Sequence, residues 1–407
     1  MQYEKKIEEI FARHPSVQVS GFNGRTYTAG IDSMLAFDAA LGHPWKSFRC
    51  IHVAGTNGKG SVSSMLAASL ASRGLRVGLF TSPHLIDFRE RIKIVSGDTL
   101  SPEMISKDEV MEFLERYEEE IKELSFFEIT TGMAMWWFER EKVDVAVIEV
   151  GLGGRLDSTN VITPILSVVT SIGLDHCAML GDTRAEIALE KAGIFKKDVP
   201  ALVWGHDEET DVVFEKYAEK VGAQLHYADE MVQPVHLDGM DLRGEYQDAN
   251  VRTTLAALKI LDVEPDYDAL RNTAKITGLR GRWEILQENP TVICDIGHNP
   301  AALVYNFRQL EESGKPLIIV YGIMADKALD DIVPLMPSSA RYILCAPDTP
   351  RALPVDTLHS RLSALRPDLN LQTSPSVSDA LQMALALASP DTLIYVGGST
   401  FVVAEAI

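Results

Sequence analysis

Cysteine is scarce in this chain: four in 407 residues, at Cys50, Cys177, Cys294 and Cys345, without the spacing that gathers a metal or a disulfide framework. Three of them lie in or beside apolar runs, so buried free thiols in a reducing cytoplasm are the expectation. No apolar stretch approaches the roughly eighteen residues of a membrane span, and the opening decapeptide is charged, with no apolar core of signal length. Basic residues are in deficit, 38 Lys and Arg against 58 Asp and Glu, for a formal net charge of −20. That excludes nonspecific binding to nucleic acid or to an anionic membrane, while leaving room for a local basic pocket. Repeats and low-complexity tracts are lacking, and proline-rich spots such as Ala346–Pro350 read as loops. What is present is 46% hydrophobic residues, enough for a large core divided among two or three domains.

The most informative segment is Cys50–Ser61, where a short apolar strand runs into a glycine-rich turn bearing one lysine. Gly55, Gly58 and Gly60 let backbone N–H groups approach phosphate closely, Lys59 supplies a point charge, and Val62–Ser72 reads as a helix whose N-terminus favours anions. ATP or GTP is the default ligand. The spacing departs from the common nucleotide loop, since two residues separate Gly55 from Gly58 and Gly60, not Ser or Thr, follows Lys59. The hydroxyl that usually ligates magnesium is thereby displaced, so the metal needs ligands from elsewhere.

Apolar strand-like runs at Arg76–Phe80, Asp144–Val150, Ile165–Thr170 and Ala201–Trp204 alternate with helical segments such as Lys107–Glu123, the pattern of a parallel sheet covered on both faces. The alternation restarts after Gln287–Pro290, with strands near Thr291–Asp295, Pro316–Tyr321, Arg341–Cys345 and Thr392–Val396 and helices such as Ala301–Glu312 and Val377–Ala388. A second α/β domain is expected there.

Three further clusters follow apolar strands, where such sheets bind ligands. In Val147–Asn160 the strand delivers Glu149 to its carboxyl end, placed to hold a hard cation, and Arg155 and Asp157 then sit in a glycine-rich loop that can face substrate or backbone. Thr170–His176 offers Asp175 and His176. Thr81–Leu85 offers Ser82, a hydroxyl of the kind the nucleotide loop lacks at its usual place.

Gly-Thr-Asn-Gly-Lys-Gly-Ser at 55–61, Thr-Ser-Pro-His-Leu at 81–85, Glu-Val-Gly-Leu-Gly-Gly-Arg-Leu-Asp-Ser-Thr-Asn at 149–160, Glu-Lys-Ala-Gly-Ile at 190–194 and Gly-His-Asn-Pro at 297–300 occur in the order of one family. The chain resembles the folylpolyglutamate synthase and dihydrofolate synthase family, part of the Mur ligase superfamily of ATP-dependent amino-acid ligases. The resemblance implies an N-terminal P-loop ATPase-like domain with a mostly parallel sheet, which also binds pterin (1–286). It also implies a hinge linker at 287–290, about which the domains close, and a smaller Rossmann-like glutamate-ligase domain (291–407). It further implies ATP, L-glutamate and dihydropteroate or reduced folates as partners, one or two Mg2+ ions, and a monomer.

By the same resemblance, Gly55, Thr56, Asn57, Gly58, Lys59, Gly60 and Ser61 hold ATP phosphates, and Ser82, Glu149 and His176 ligate magnesium. Lys191 falls on the family's carbamylated lysine; read alone it is a helix lysine beside Glu190, suited to a surface salt bridge. Asn250 and Arg282 align with nucleotide contacts, although alone they read as a helix N-cap and a linker charge. Asp295 resembles the ATP-ribose partner and His298 a group near the incoming glutamate, with a capped helix start as the competing account of Asn299-Pro300. Ser399 aligns on the glutamate side, Arg91 is a candidate carboxylate clamp, and Arg155 a substrate contact. Phe126, Phe127 and the loop Asn23–Thr26 are placed at the pterin, with core packing an equal reading of the two rings. Two departures stand out: Arg280 where the family has proline, and Gly297 where it has alanine. A peptidoglycan ligase would carry a further domain before the loop, and a GTP switch would need a guanine-reading Asn-Lys-x-Asp segment, which is lacking.

Overall fold

The computed structural model describes residues 2–14, 30–97, 101–327 and 329–407. The chain divides into two compact units, residues 1–241 with 247–279, and residues 242–246 with 280–407.

The first unit is built on eight strands: β1 (Arg49–Ala54), β2 (Val77–Phe80), β3 (Ile92–Val95), β4 (Glu103–Met104), β5 (Val145–Glu149), β6 (Leu166–Val169), β7 (Pro200–Val203) and β8 (Gln224–Tyr227). Their order is β4-β3-β2-β5-β1-β6-β7-β8. The β2–β3 and β3–β4 pairs are antiparallel and every other pair is parallel. The side-chain period of two sorts the central strands onto two faces. Cys50, Phe80, Ala146 and Ile148 pack with helix Phe126–Arg140, while Ile51, Val53, Val145 and Val147 pack with helix Lys59–Ala71. Both faces are covered, which is why the strands read as apolar runs without alternation.

Helix starts follow local chemistry. Ser106 with Glu109 and Ser125 with Glu128 form reciprocal capping boxes for helices Lys107–Arg116 and Phe126–Arg140. The first of these stops at Arg116, short of the expected Glu123, because Glu118, Glu119 and Glu120 would crowd negative charge at a helix C-terminus.

The second unit holds β9 (Glu284–Glu288), β10 (Thr291–Asp295), β11 (Leu317–Tyr321), β12 (Arg341–Leu344), β13 (Asn370–Thr373) and β14 (Leu393–Gly397) in the order β13-β12-β11-β14-β10-β9. Only β9–β10 is antiparallel. That pairing corrects the expected hinge. Residues 287–290 are the turn and flanks of this hairpin, where Thr291 pairs with Glu288 and Val292 with Gln287, and a hydrogen-bonded ladder is no linker. The boundary falls between Leu279 and Arg280, so β9 belongs to the second unit and the expected division at 286/291 moves upstream. Cys50, Cys294 and Cys345 are buried free thiols and Cys177 is partly exposed. Among the described residues no helix is long and apolar enough to cross a membrane. The loop Asn23–Thr26 lies outside the described residues.

Candidate active site

Four of the sequence clusters follow four neighbouring parallel strands, β2, β5, β1 and β6, and so share one edge of the first sheet. The nucleotide-type loop leaves β1 at Gly55 and is stitched to the exit of β6. The Thr56 N–H donates to the Ser171 carbonyl (2.7 Å), the Thr170 hydroxyl to the Asn57 carbonyl (2.7 Å) and the Asn57 N–H to Ser171 Oγ (3.2 Å). The Thr56 hydroxyl exchanges hydrogen bonds with the Gly173 backbone (3.0 and 3.1 Å). Helix Lys59–Ala71 makes its first backbone bond from the Val62 N–H to the Gly58 carbonyl (2.9 Å), so the N–H groups of the preceding turn face out of a helix N-terminus.

Two glycines here are dictated by space. Gly58 has φ 87° and a Cβ on it would meet Asn250 Oδ1; Gly55 has φ 149° and a Cβ would overlap Thr170 Oγ1. Gly55→Ala therefore meets both a disfavoured φ and a hard clash, and is expected to destabilise the first unit by about 2–4 kcal/mol and weaken ATP binding at least about tenfold. Thermal denaturation and nucleotide titration check this, and wild-type affinity in the variant would contradict it.

Asn250 lies inside helix Gln247–Ile260, not at its N-cap as its sequence alone suggests. Its Nδ2 donates to Gln247 Oε1 (2.8 Å), whose Nε2 donates to Ser61 Oγ (3.2 Å), which ties this helix to the phosphate loop.

Two lysines converge on one carbonyl: Lys59 Nζ reaches the Gly55 oxygen at 3.0 Å and Lys191 Nζ reaches it at 2.9 Å, while Lys59 also donates to Thr56 (3.1 Å). Lys191 is 3% exposed, which overturns the surface-salt-bridge reading. Burial, and next the Lys59 charge, push its amine down to about 7. The neighbour Glu190 pairs instead with Arg155, whose guanidinium lies 2.8 Å away and whose N–H donates to the Glu190 carbonyl (2.8 Å). Arg155 thus fastens the glycine-rich loop to the end of helix Arg184–Ala192. Asn160 Nδ2 completes that fastening by donating to the Arg155 and Gly193 carbonyls (3.0 and 3.1 Å). Asp157 faces the backbone: it accepts from the Leu152 and Thr159 N–H groups (2.9 Å each) and from the Thr159 hydroxyl. Burial raises its carboxyl against the pull of those donors.

Glu149 ends β5, 3% exposed, and its Oε2 accepts the Ser82 N–H at 3.0 Å, which brings two expected metal ligands together. His176 follows β6 in a left-handed conformation (φ 53°), with its Nε2 3.8 Å from Asp175 Oδ2. Among the described residues no three His, Cys, Asp or Glu side chains converge as a ready-made metal cage. A carboxylate, a hydroxyl and an imidazole nonetheless suit a hard divalent cation that shares its sphere with nucleotide phosphate.

Arg91 is buried. Its Nε donates to His84 Nδ1 (2.8 Å) and its guanidinium lies 5.3 Å from the centre of the Phe126 ring; burial lowers it to about 10. An accepting Nδ1 fixes the His84 proton on Nε2. Phe126 is a core residue, against Phe88, so core packing wins for that ring; Phe127 is only partly buried, against Phe80.

Four expected site residues belong to the second unit. Asp295 accepts from Tyr246 Oη (2.6 Å) and the Trp283 N–H (2.8 Å) on one oxygen, and from the Gly297 N–H (2.7 Å) and Asn306 Nδ2 (2.9 Å) on the other. With both oxygens engaged by protein donors, it is a structural hub of the second unit. Ser399 Oγ caps helix Thr400–Ala406 by accepting from the Phe401 and Val402 N–H groups. Asn299 caps helix Pro300–Glu312 through the Ala302 N–H (3.0 Å), as its competing account held. Arg282 donates to the Arg280 and Gly281 carbonyls (3.3 Å each), and His298 Nδ1 lies 3.0 Å from the Ile296 carbonyl.

A family model for the Mur ligase middle domain matches residues 53–231, and one for the Mur ligase glutamate ligase domain matches residues 281–400. A dihydrofolate synthase/folylpolyglutamate synthase of Escherichia coli is 34% identical over 403 residues, covering 95% of this chain and 92% of that one. The chain belongs to the dihydrofolate synthase/folylpolyglutamate synthase family. Like the Mur ligases around it, this family member is an ATP-dependent ligase. A probable bifunctional folylpolyglutamate synthase/dihydropteroate synthase of Haloferax volcanii is 33% identical over 93% of this chain, which spans only 48% of that longer relative. An Escherichia coli FolC structure in complex with DHPP and ADP matches at TM-score 0.82 with 29% identity, over 99% of this chain and 96% of that one. A bifunctional folylpolyglutamate synthase/dihydrofolate synthase with Mn, AMPPNP and L-glutamate bound matches at 0.81 with 29% identity, over 93% and 94%.

Sequence reasoning gave no role to several residues that brace the loops of this edge. Thr170 and Ser171 carried a usable signal, two hydroxyls where a strand meets its ligand edge. His52 did not: it is fully buried in β1, with Nε2 2.8 Å from the Thr159 hydroxyl, and desolvation holds it neutral down to about 3. Nothing local marks a strand histidine as a brace for a loop 107 residues away.

Proposed function

We propose that the enzyme joins L-glutamate to the carboxylate of dihydropteroate and of reduced folates, acting as both dihydrofolate synthase and folylpolyglutamate synthase. The observation that carries this reading is the convergence of Lys59 and Lys191 on the Gly55 carbonyl, on the sheet edge that also bears Glu149 and Ser82. The solved relative holding Mn, AMPPNP and L-glutamate supports the choice of ligands.

A carboxylate oxygen of the folate attacks the γ-phosphorus of ATP, the bond from that phosphorus to the β,γ-bridging oxygen breaks, and ADP leaves with the electron pair. The turn Gly55–Ser61 directs N–H groups to the phosphates, and Lys59 screens the charge that grows on the departing oxygen. The amine nitrogen of glutamate then attacks the acyl carbon. Its carbon–oxygen bond to phosphate breaks, phosphate departs, and the nitrogen loses a proton to give the amide. Ser82, Glu149 and His176 would hold a divalent cation, Mg2+ in the cell, which neutralises phosphate charge when bound. Lys191 is neutral enough to add carbon dioxide, and as a carbamate it would present a carboxylate toward that cation. Arg91 and the exposed face of Phe127 suit the carboxylate and ring ends of a pterin substrate. The enzyme is taken to work as a cytoplasmic monomer, with Arg282 and His298 toward nucleotide and glutamate.

The deciding assay is ADP release from ATP, Mg2+ and L-glutamate, with dihydropteroate in one tube and tetrahydrofolate in the other. Turnover with both is expected. Turnover with one alone would reduce the assignment to a single activity, and none with either would remove the pterin reading.

A further inference from the structure

The chain passes between the two units three times, after Asp241, after Tyr246 and after Leu279. Both stretches by which the second unit receives the chain end on the same buried carboxylate. Tyr246 closes the 242–246 segment and gives its hydroxyl proton to Asp295 Oδ2; Trp283, three residues past the boundary at Arg280, gives the same oxygen its N–H. The other oxygen takes the Gly297 N–H from the loop that carries His298, and the Asn306 amide from helix Pro300–Glu312. The two stretches have further, separate attachments. Gln309 bonds the Glu245 N–H and the Arg243 carbonyl, Arg308 pairs with Glu245 (2.8 Å), and the Ile296 N–H donates to the Gly281 carbonyl (3.1 Å).

We propose that Asp295 is the bearing of the enzyme, a positioning residue that ties both crossing stretches to the Gly297–His298 loop so that the three move as one body. The argument is one of counting. A carboxylate has about four lone-pair directions, and here each is taken by a donor from a different segment. The carboxylate is 3% exposed, so losing one donor leaves charge that water cannot readily compensate, and the remaining partners shift to share it. A cap that served one segment would need one or two such bonds. Arg282 lies between the boundary and Trp283, so a loosened bearing also displaces the side chain proposed to meet nucleotide; this kinetic part rests on the function proposed above.

The test is Tyr246→Phe, which removes one hydroxyl and keeps the ring. Amide hydrogen exchange by mass spectrometry should rise at 242–246 and, in step, at 281–283 and 296–298, with β11, β12 and β14 unchanged, and KM for ATP should rise several-fold more than kcat falls. A rise confined to 242–246, a rise through the whole second unit, or an unchanged KM for ATP in an active enzyme would each overturn the proposal. Exchange is read without turnover, so an inactive wild type would defeat the ligase reading and leave the bearing tested. Asp295→Asn sets an amide against four donors and should give the same exchange pattern, enlarged; if it does not fold, Tyr246→Phe decides.

Discussion

Glu149→Gln should lower kcat by at least about a thousandfold while leaving the first unit folded. The substitution keeps shape and an accepting oxygen, so the Ser82 N–H, 3.0 Å from Oε2 in the native chain, still finds a partner. What disappears is a full negative charge at the carboxyl end of β5, beside a turn with two lysines on it. Without that charge the edge holds a cation poorly, and nucleotide phosphate meets only positive groups. Activity measured across a Mg2+ titration, beside a melting curve, separates the outcomes. A partial recovery of rate at high Mg2+ with an unchanged melting temperature is expected; wild-type kcat at ordinary Mg2+ would take Glu149 out of the reaction.

Withdrawing carbon dioxide should silence the enzyme reversibly, and Lys191→Met should lower kcat permanently, by at least about a hundredfold. An ordinary lysine, at 10.5, has about one neutral amine in three thousand at pH 7, whereas an amine pushed down to about 7 is about half neutral. Only the neutral form attacks carbon dioxide. The sign follows: at a fixed concentration of dissolved carbon dioxide, below about pH 7 the ammonium dominates and reactivation slows, and above it the rate levels off. After incubation in carbon-dioxide-free buffer, recovery at one fixed concentration of dissolved carbon dioxide should be several-fold faster at pH 8 than at pH 6, and absent in Lys191→Met. Full activity after prolonged degassing, without the mass of one bound carbon dioxide on the protein, would rule out carbamylation.

The strands and their carboxyl-end clusters were legible because a sheet buried on both faces must be written as apolar runs, and a phosphate turn as glycines with a lysine. Lys191 was illegible in its own terms. A helix lysine beside a glutamate reads as surface, and only Arg155, 35 residues earlier, explains why Glu190 turns away and Lys191 turns in. The expected linker at Gln287–Pro290 failed for a related reason: Asn-Pro marks a turn, and a turn between domains and a turn within a hairpin are spelled alike. Asp295 and Ser399 carry structural bonds that no motif announces, since a carboxylate or a hydroxyl at a strand exit can accept from nearby backbone N–H groups and side chains alike.

The neighbouring order β2-β5-β1-β6 also bears on how this protein can be altered. Its four chemical loops are consecutive along the sheet edge but come in a different order along the chain, each seated at the end of its own strand. The long connections between those strands run away from that edge, so they can lengthen, shorten or accept foreign segments while the four seats keep their spacing. Insertions placed in such connections, at the exposed Glu118, Glu119 and Glu120 for example, are the natural points at which to graft tags or reporters onto a working ligase.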